Sequence, residues 1–271
     1  MPRPAFRPAC PTFSPCGGAP VSRYAGAGGG TVLAEEPHRV TRTCTILAHR
    51  GNIDGPCADE NALSSMRVAL ERGWGIETDI RHEGRGRFYI SHDRRPVPEG
   101  RSADAFCSLF RQFPEATIAL NVKELGAERQ LLGYLARQQV IDQVFLFDME
   151  LIEDVPGTTA RTLRCCHPTV RLAARASDRG EPVDQALRIT DASICWIDEF
   201  DSAWCTAADV QRLQAAGRTV YAVSPDLHRH SLRDTRDRWD DFIRWGVDGV
   251  CTDYPAALEE RLVGLGRGKA A

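Results

Sequence analysis

The 271 residues carry 34 basic and 37 acidic side chains, a formal net charge of −3, with 42% hydrophobic and 26% charged positions. That balance suits one soluble globular domain and offers no basic excess for a general nucleic-acid binder. No run approaches the ~20 apolar residues of a transmembrane helix, and no apolar stretch follows Arg3 and Arg7 as a secretory signal requires, so a cytoplasmic location is expected.

Residues 1–42 are rich in Pro, Gly, Ala and Arg, include Gly28-Gly29-Gly30, and show neither helical nor strand periodicity. Such a segment buries too little apolar surface to offset its ordering entropy and is read as a disordered tail. Residues 43–271 are read as one domain. Its predicted strands are Cys44–Ala48, Gly75–Ile80, Thr117–Val122, Gln143–Phe147, Arg161–Cys165, Ser193–Ile197, Thr219–Val223 and Gly249–Thr252. Each is short and apolar, as strands buried on both faces are. Phe88–His92 reads as a further short extended segment, set off by the polar turn Glu83–Arg87. Amphipathic segments such as Asn61–Arg72, Ala127–Gln139 and Ala207–Ala216 lie between the strands. Thr206 and Asp209 have capping-box spacing, Gly217 suits a C-terminal cap, and Pro255 suits the first turn of a closing helix. Strands interleaved with helices imply a parallel sheet, and eight of them in a chain of this size predict a closed (β/α)8 TIM barrel, which typically needs ~250 residues.

The ten cysteines include no C-x-x-C pair, which argues against a zinc ribbon or a thioredoxin-like site. Cys44, Cys195 and Cys251 fall inside apolar runs and are read as reduced core residues. Cys165, Cys166 and His167 are adjacent in sequence and cannot easily close a tetrahedral metal site.

Four polar elements stand at or just beyond the ends of apolar runs: His49-Arg50-Gly51, Glu77-Thr78-Asp79, His92-Asp93 and Asn121-Val122-Lys123. In a parallel barrel that is the end where active sites form. Side chains two apart on a strand share a face, so Glu77 projects with Asp79, and Asn121 with Lys123. Two buried carboxylates side by side repel each other and lose hydration, a conflict that a divalent cation resolves. Carboxylates with an amide oxygen suit a hard ion, Mg²⁺ or Ca²⁺. His49 and His92 suit the proton transfers of phosphodiester cleavage near neutral pH. Arg50 and Lys123 suit the non-bridging phosphate oxygens. Singly, His-Arg-Gly is most simply a turn, E-x-D an edge strand and His-Asp a capped turn. Their order on successive strands is what points to one site.

These elements resemble the pattern of the glycerophosphodiester phosphodiesterase family. Its H-R-G, E-N, E-x-D and H-D correspond to His49-Arg50-Gly51, Glu60-Asn61, Glu77-Thr78-Asp79 and His92-Asp93. Its closing G-V-D-G-I-x-T-D-x-P stretch corresponds to Gly246 through Pro255. The resemblance implies a (β/α)8 barrel, His49 and His92 as the acid/base pair, Glu77 and Asp79 as metal ligands, and Arg50 on phosphate. It also implies cleavage of a glycerophosphodiester to glycerol phosphate and an alcohol. Two departures matter. The family's third-strand E-x-K, whose Glu is the third ligand, reads Asn121-Val122-Lys123 here, so the site has one negative charge fewer. The segment after H-D, Arg94–Ala116, is short, which implies a reduced roof over the pocket. Near the seventh strand the family's W-T-V-N is replaced by Tyr221-Ala222-Val223-Ser224-Pro225, with Tyr221 facing either the mouth or the core. Asp198, Glu199 and Asp201 follow the sixth strand and offer acceptors for substrate hydroxyls, though solvated loop charge is the simpler reading, and His82, His228 and His230 read as surface residues.

The expected function is metal-dependent hydrolysis of a small-molecule or lipid-derived phosphodiester. Two alternatives stay open: a lipid phosphodiesterase of the same superfamily, and an inactive barrel that binds a phosphorylated ligand, the latter because of Asn121. The pattern does not specify the oligomeric state.

Overall fold

The computed structural model describes residues 43–84, 86–94 and 101–266. The predicted tail, residues 1–42, and the last residues of the predicted domain lie outside the described residues.

Nine strands occur among the described residues: β1 (Thr45–His49), β2 (Gly75–Glu83), β3 (Arg87–Ile90), β4 (Ile118–Val122), β5 (Val144–Phe147), β6 (Arg171–Ser177), β7 (Ile194–Asp198), β8 (Thr219–Val223) and β9 (Gly249–Thr252). Eight of them run parallel in the order β1-β9-β8-β7-β6-β5-β4-β2, and the β1–β2 pairing closes the ring. The ninth, β3, pairs antiparallel with β2 and extends it as a hairpin beyond the barrel. Helices α1 (Leu63–Glu71), α2 (Ala103–Phe110), α3 (Glu128–Arg137), α4 (Thr158–Cys166), α5 (Val183–Arg188), α6 (Ala207–Ala215), α7 (Leu232–Trp245) and α8 (Pro255–Gly264) fill the connections. The (β/α)8 barrel expected from the sequence is the observed fold.

Alternation along the strands separates two apolar layers. Ile46, Ile76, Ile118, Leu120, Val144, Leu172, Ala174, Val220 and Val250 face outward and pack in one cluster with the helices. Leu47, Ala119, Phe145, Phe147, Ala173, Trp196, Tyr221 and Cys251 face inward and fill the barrel. The Phe147 and Trp196 rings pack tilted with centroids 4.5 Å apart, and Tyr221 lies 5.3 Å from Phe145, so Tyr221 is a core residue. The same parity directs His49, Glu77, Asp79, Asn121, Arg175 and Asp198 inward at the C-terminal ends of their strands. Gly75 makes room where β2 meets its neighbours, because a Cβ there would run into the Thr117 carbonyl and lie 2.6 Å from Leu47.

The expected fifth strand is corrected. Arg161–Cys165 belongs to α4, and the strand is Arg171–Ser177. Ala160 and Leu163, three apart, are the buried positions of α4, which is helical spacing. In β6 the outward residues are mostly alanines and an arginine points into the barrel, so the segment lacks the branched apolar run that marks a buried strand. The cap readings hold. Thr206 and Asp209 form a reciprocal capping box, Gly217 follows α6 with φ 77°, and Pro255 opens α8. Cys195 and Cys251 are buried, Cys44 is half-buried, and the eight described cysteines are all free thiols.

Candidate active site

Strand register sets the first contacts. His49 on β1 lies opposite Glu77 on β2, and Asp79 lies opposite Asn121 on β4. The His49 Nδ1 atom is 2.6 Å from Asp253 Oδ1, and its Nε2 is 3.7 Å from Glu77 Oε2. Asp253 follows β9 and is itself held by the Asn52 amide at 2.7 Å. Burial works against a charge on His49, but the bond to Asp253 and the charges of Glu77 and Asp253 outweigh it and raise the ring's pKa. Burial likewise opposes the Asp253 carboxylate, yet His49 and Asn52 hold it below the ordinary range.

The H-R-G turn depends on the left-handed region. Arg50 has φ 51° and Gly51 φ 76°, and a Cβ on Gly51 would come within 2.9 Å of Met66. Glu60 accepts from Arg50 Nη1 at 3.0 Å, which leaves Arg50 Nε 3.4 Å from Asp79 Oδ2. Asn61, also left-handed at φ 59°, donates its backbone N–H to the Arg50 carbonyl and accepts from Thr78. The E-N pair therefore braces the arginine turn against β2.

Lys123 Nζ is 3.1 Å from Asp79 Oδ1. Glu77 is buried beside Asp79, and burial first and Asp79 second push its carboxyl well above the usual range, against the pull of His49, Arg50 and Lys123. Asn121 donates to Asp148 at 2.8 Å. Glu77 Oε2, Asp79 Oδ2 and Asn121 Oδ1 are buried and have no hydrogen-bond donor among the described residues. Buried acceptors without donors are uncommon, and two carboxylates and an amide on registered positions of adjacent strands are a donor set that fits a hard divalent cation. Among the described residues no group of three or more His, Cys, Asp or Glu is gathered as a metal set, and the third donor-free oxygen beside the two carboxylates is that of the Asn121 amide.

Six of the seven residues expected at the site thus meet at one barrel end: His49, Arg50, Glu77, Asp79, Asn121 and Lys123. His92 stands just past β3, where its carbonyl accepts from Arg81 at 2.6 Å. Its side chain is 46% exposed and lies 2.9 Å from Asp93. Among the described residues, no hydrogen bond or ion pair joins its ring to the other six.

A second polar cluster completes the mouth. Asp148, after β5, has φ 70°, a left-handed turn that breaks the strand alternation. Arg175 on β6 donates through Nε and Nη2 to Asp148 at 2.9 and 2.6 Å, and through Nη1 to Asp198 at 2.6 Å. Asp198 also meets His228 Nε2 at 2.5 Å, and the His228 ring packs 4.4 Å from Phe200. Asp198 and Glu199 are therefore buried, not solvated loop charges: Glu199 accepts from Arg238 at 2.7 Å and from the Cys205 N–H at 2.9 Å. His228 is half-buried, whereas Asp201 is exposed on Arg179 and His230 is exposed, as expected. The signals for this cluster were an arginine inside an alanine strand and an aspartate ending Ile194–Asp198.

No family model and no curated protein matches the chain. Solved structures do. A glycerophosphoryl diester phosphodiesterase of Parabacteroides distasonis is 16% identical, with a TM-score of 0.63 over 83% of this chain and 88% of that one. A phosphodiesterase of Oleispira antarctica, solved with the product sn-glycerol-3-phosphate, is 17% identical, with a TM-score of 0.58 over 82% and 97%. A glycerophosphodiester phosphodiesterase of Thermotoga maritima is 15% identical, with a TM-score of 0.52 over 82% and 98%. At these identities the likeness is one of fold: the chain is a (β/α)8 barrel of the form those phosphodiesterases take.

Proposed function

We propose that the chain is a phosphodiester hydrolase that splits a glycerophosphodiester into glycerol phosphate and an alcohol with the help of Mg²⁺ or Ca²⁺. One observation carries this reading: a carboxylate-backed histidine, donor-free carboxylate and amide oxygens, and two cationic side chains meet at one barrel mouth. The fold likeness to phosphodiesterases supports it. Arg50 and Lys123 would receive the non-bridging oxygens of the phosphate, the arginine through paired N–H groups. His49, with its charged form favoured by Asp253, would give its Nε2 proton to the departing alkoxide. Glu77, Asp79 and Asn121 would hold the divalent ion, which when bound supplies Lewis-acid stabilisation of charge on the phosphoryl oxygens. The resemblance assigns the second proton transfer to His92, which stands at the same end of the barrel. The substrate is read as a small or lipid-derived diester and not a nucleic acid, and a cytoplasmic location accords with the free thiols.

The test is turnover of a soluble glycerophosphodiester by His49→Ala. The expected loss is about 10²- to 10⁴-fold with the fold retained. Wild-type rates would remove the proposal.

A diester presented by lipid is the second reading. Leu151, Ile152 and Val155 are exposed on the segment after β5, at the same end of the barrel as the site. Hydrolysis confined to lipid vesicles, with soluble diesters left intact, would favour it.

A further inference from the structure

Asp253, the partner of His49, is held at three atoms. The Asn52 amide donates to its Oδ1 at 2.7 Å, and the Gly55 N–H donates to its carbonyl at 2.7 Å. Its own backbone N–H donates to Asp226 Oδ2 at 2.8 Å, crossing from the end of β9 to the 3₁₀ turn Pro225–His228 after β8. Asp226 is in turn fixed by its neighbours. Thr252, the residue before Asp253, donates its hydroxyl to Asp226 Oδ1 and Oδ2 at 3.0 and 3.1 Å and accepts the Tyr254 N–H at 3.0 Å. Ser224 donates its hydroxyl to Asp226 Oδ1 and accepts the Trp239 indole N–H at 2.7 Å. Ser224, Thr252 and Trp239 are fully buried. Three consecutive residues, Thr252 to Tyr254, are thus tied to one carboxylate, directly or through a hydroxyl. Burial raises the Asp226 carboxyl above its ordinary range and the Asp253 charge adds to this, against the pull of Ser224, the Asp253 N–H and Thr252. An amide would avoid a second acid beside Asp253, but its one oxygen cannot receive all three donors. Asp226 lies outside every motif of the sequence resemblance.

We propose that Asp226 is a positioning residue of the site: by fixing the backbone at Asp253 it aims that carboxylate at the ring of His49. The inference rests on the hydrolase reading above, in which His49 gives its Nε2 proton to the departing alkoxide. A carboxylate only accepts, so the 2.6 Å contact with Asp253 Oδ1 places a proton on His49 Nδ1 and sets the orientation of the ring. A backbone shift at residue 253 is carried directly to that ring. Misplacing a reacting group by about 1 Å can cost about 100-fold in rate.

The experiment reads alignment and turnover in Asp226→Ala, Asp226→Asn, Asp253→Asn and the double variant Asp226→Ala with Asp253→Asn. Alignment is read by proton NMR from the low-field Nδ1–H resonance of His49, identified by its absence in His49→Ala. Asp226→Ala is expected to lose or move that resonance. It is also expected to lose about 10- to 100-fold in kcat on a soluble glycerophosphodiester, with KM unchanged. Asp226→Asn keeps an acceptor for the Asp253 N–H, and is expected to retain the resonance and most of the rate. In the Asp253→Asn background, Asp226→Ala is expected to cost nothing further, because both changes act on one contact. Asp226→Ser is carried alongside. It draws the side chain back from the Asp253 N–H, so the comparison survives if the alanine variant does not fold. An unmoved resonance, wild-type kcat, or losses that multiply in the double variant would overturn the inference while the hydrolase reading stands. A wild-type protein that cleaves no diester removes the hydrolase reading, and the resonance alone then decides whether Asp226 aligns the pair.

Discussion

Asn121 donates its side-chain amide to Asp148 at 2.8 Å and so links the two polar halves of the barrel mouth. A carboxylate can only accept, so the contact fixes the nitrogen on Asp148 and leaves Oδ1 as the free atom of the amide.

The first prediction concerns that oxygen. Calorimetric titration of Mg²⁺ and Ca²⁺ into metal-free protein is expected to show one site. In Asn121→Ala its affinity should fall by about 10-fold or more, since the change removes a ligand and the hydrogen bond that fixed it. Equal affinity in the variant would exclude Asn121 as a ligand. Absence of binding by Mg²⁺, Ca²⁺ and Mn²⁺, with no turnover of a generic diester, would favour the phosphate-binding barrel instead.

The second concerns His49 and Asp253. The folded-state pKa of His49 lies above its ordinary value of 6.5, because the bond to Asp253 and the Glu77 charge outweigh burial. The stability this gives is full below the unfolded value and is lost as pH rises through the folded one. As the proton donor, His49 should set the alkaline limb of the rate profile. Asp253→Asn is expected to lower kcat and move that limb to lower pH. A limb that stays in place in the variant would count against the pairing.

The third turns on Glu150, which lies beside Asp148 and accepts from the Arg175 backbone N–H. Burial first, and the Asp148 charge second, push its carboxyl from 4.5 up to about 7. A raised carboxyl binds its proton more tightly in the folded state. Its contribution is therefore complete below the unfolded value and is lost as pH rises through about 7, by up to roughly 3 kcal/mol. Urea unfolding across this window should show the decline in wild type and a flatter curve in Glu150→Gln. Parallel curves would mean that Glu150 does not carry it.

What the sequence discloses depends on whether neighbours in space are also neighbours along one strand. Glu77 with Asp79, and Asn121 with Lys123, share a face through simple alternation, so their convergence is legible from spacing. The register that sets His49 against Glu77 follows once β1 and β2 are adjacent. Arg175 was hidden for the opposite reason. Its strand is built of alanines, and its partner Asp148 reaches it only because a left-handed residue breaks the alternation after Phe147. Asp198 and His228 come together across two βα connections, and no spacing rule joins them. His82, expected at the surface, is half-buried on the β2–β3 hairpin, 3.8 Å from Glu124.

The guanidinium of Arg175 joins the ends of β5 and β7, and the turn after β8 leans on the same Asp198. Three neighbouring loops consequently share a keystone, and none can lengthen or shift without stranding a buried acid. Divergence toward new ligands is thereby channelled to the far rim, where the β2–β3 hairpin leaves the barrel wall and can be remodelled without disturbing that arch.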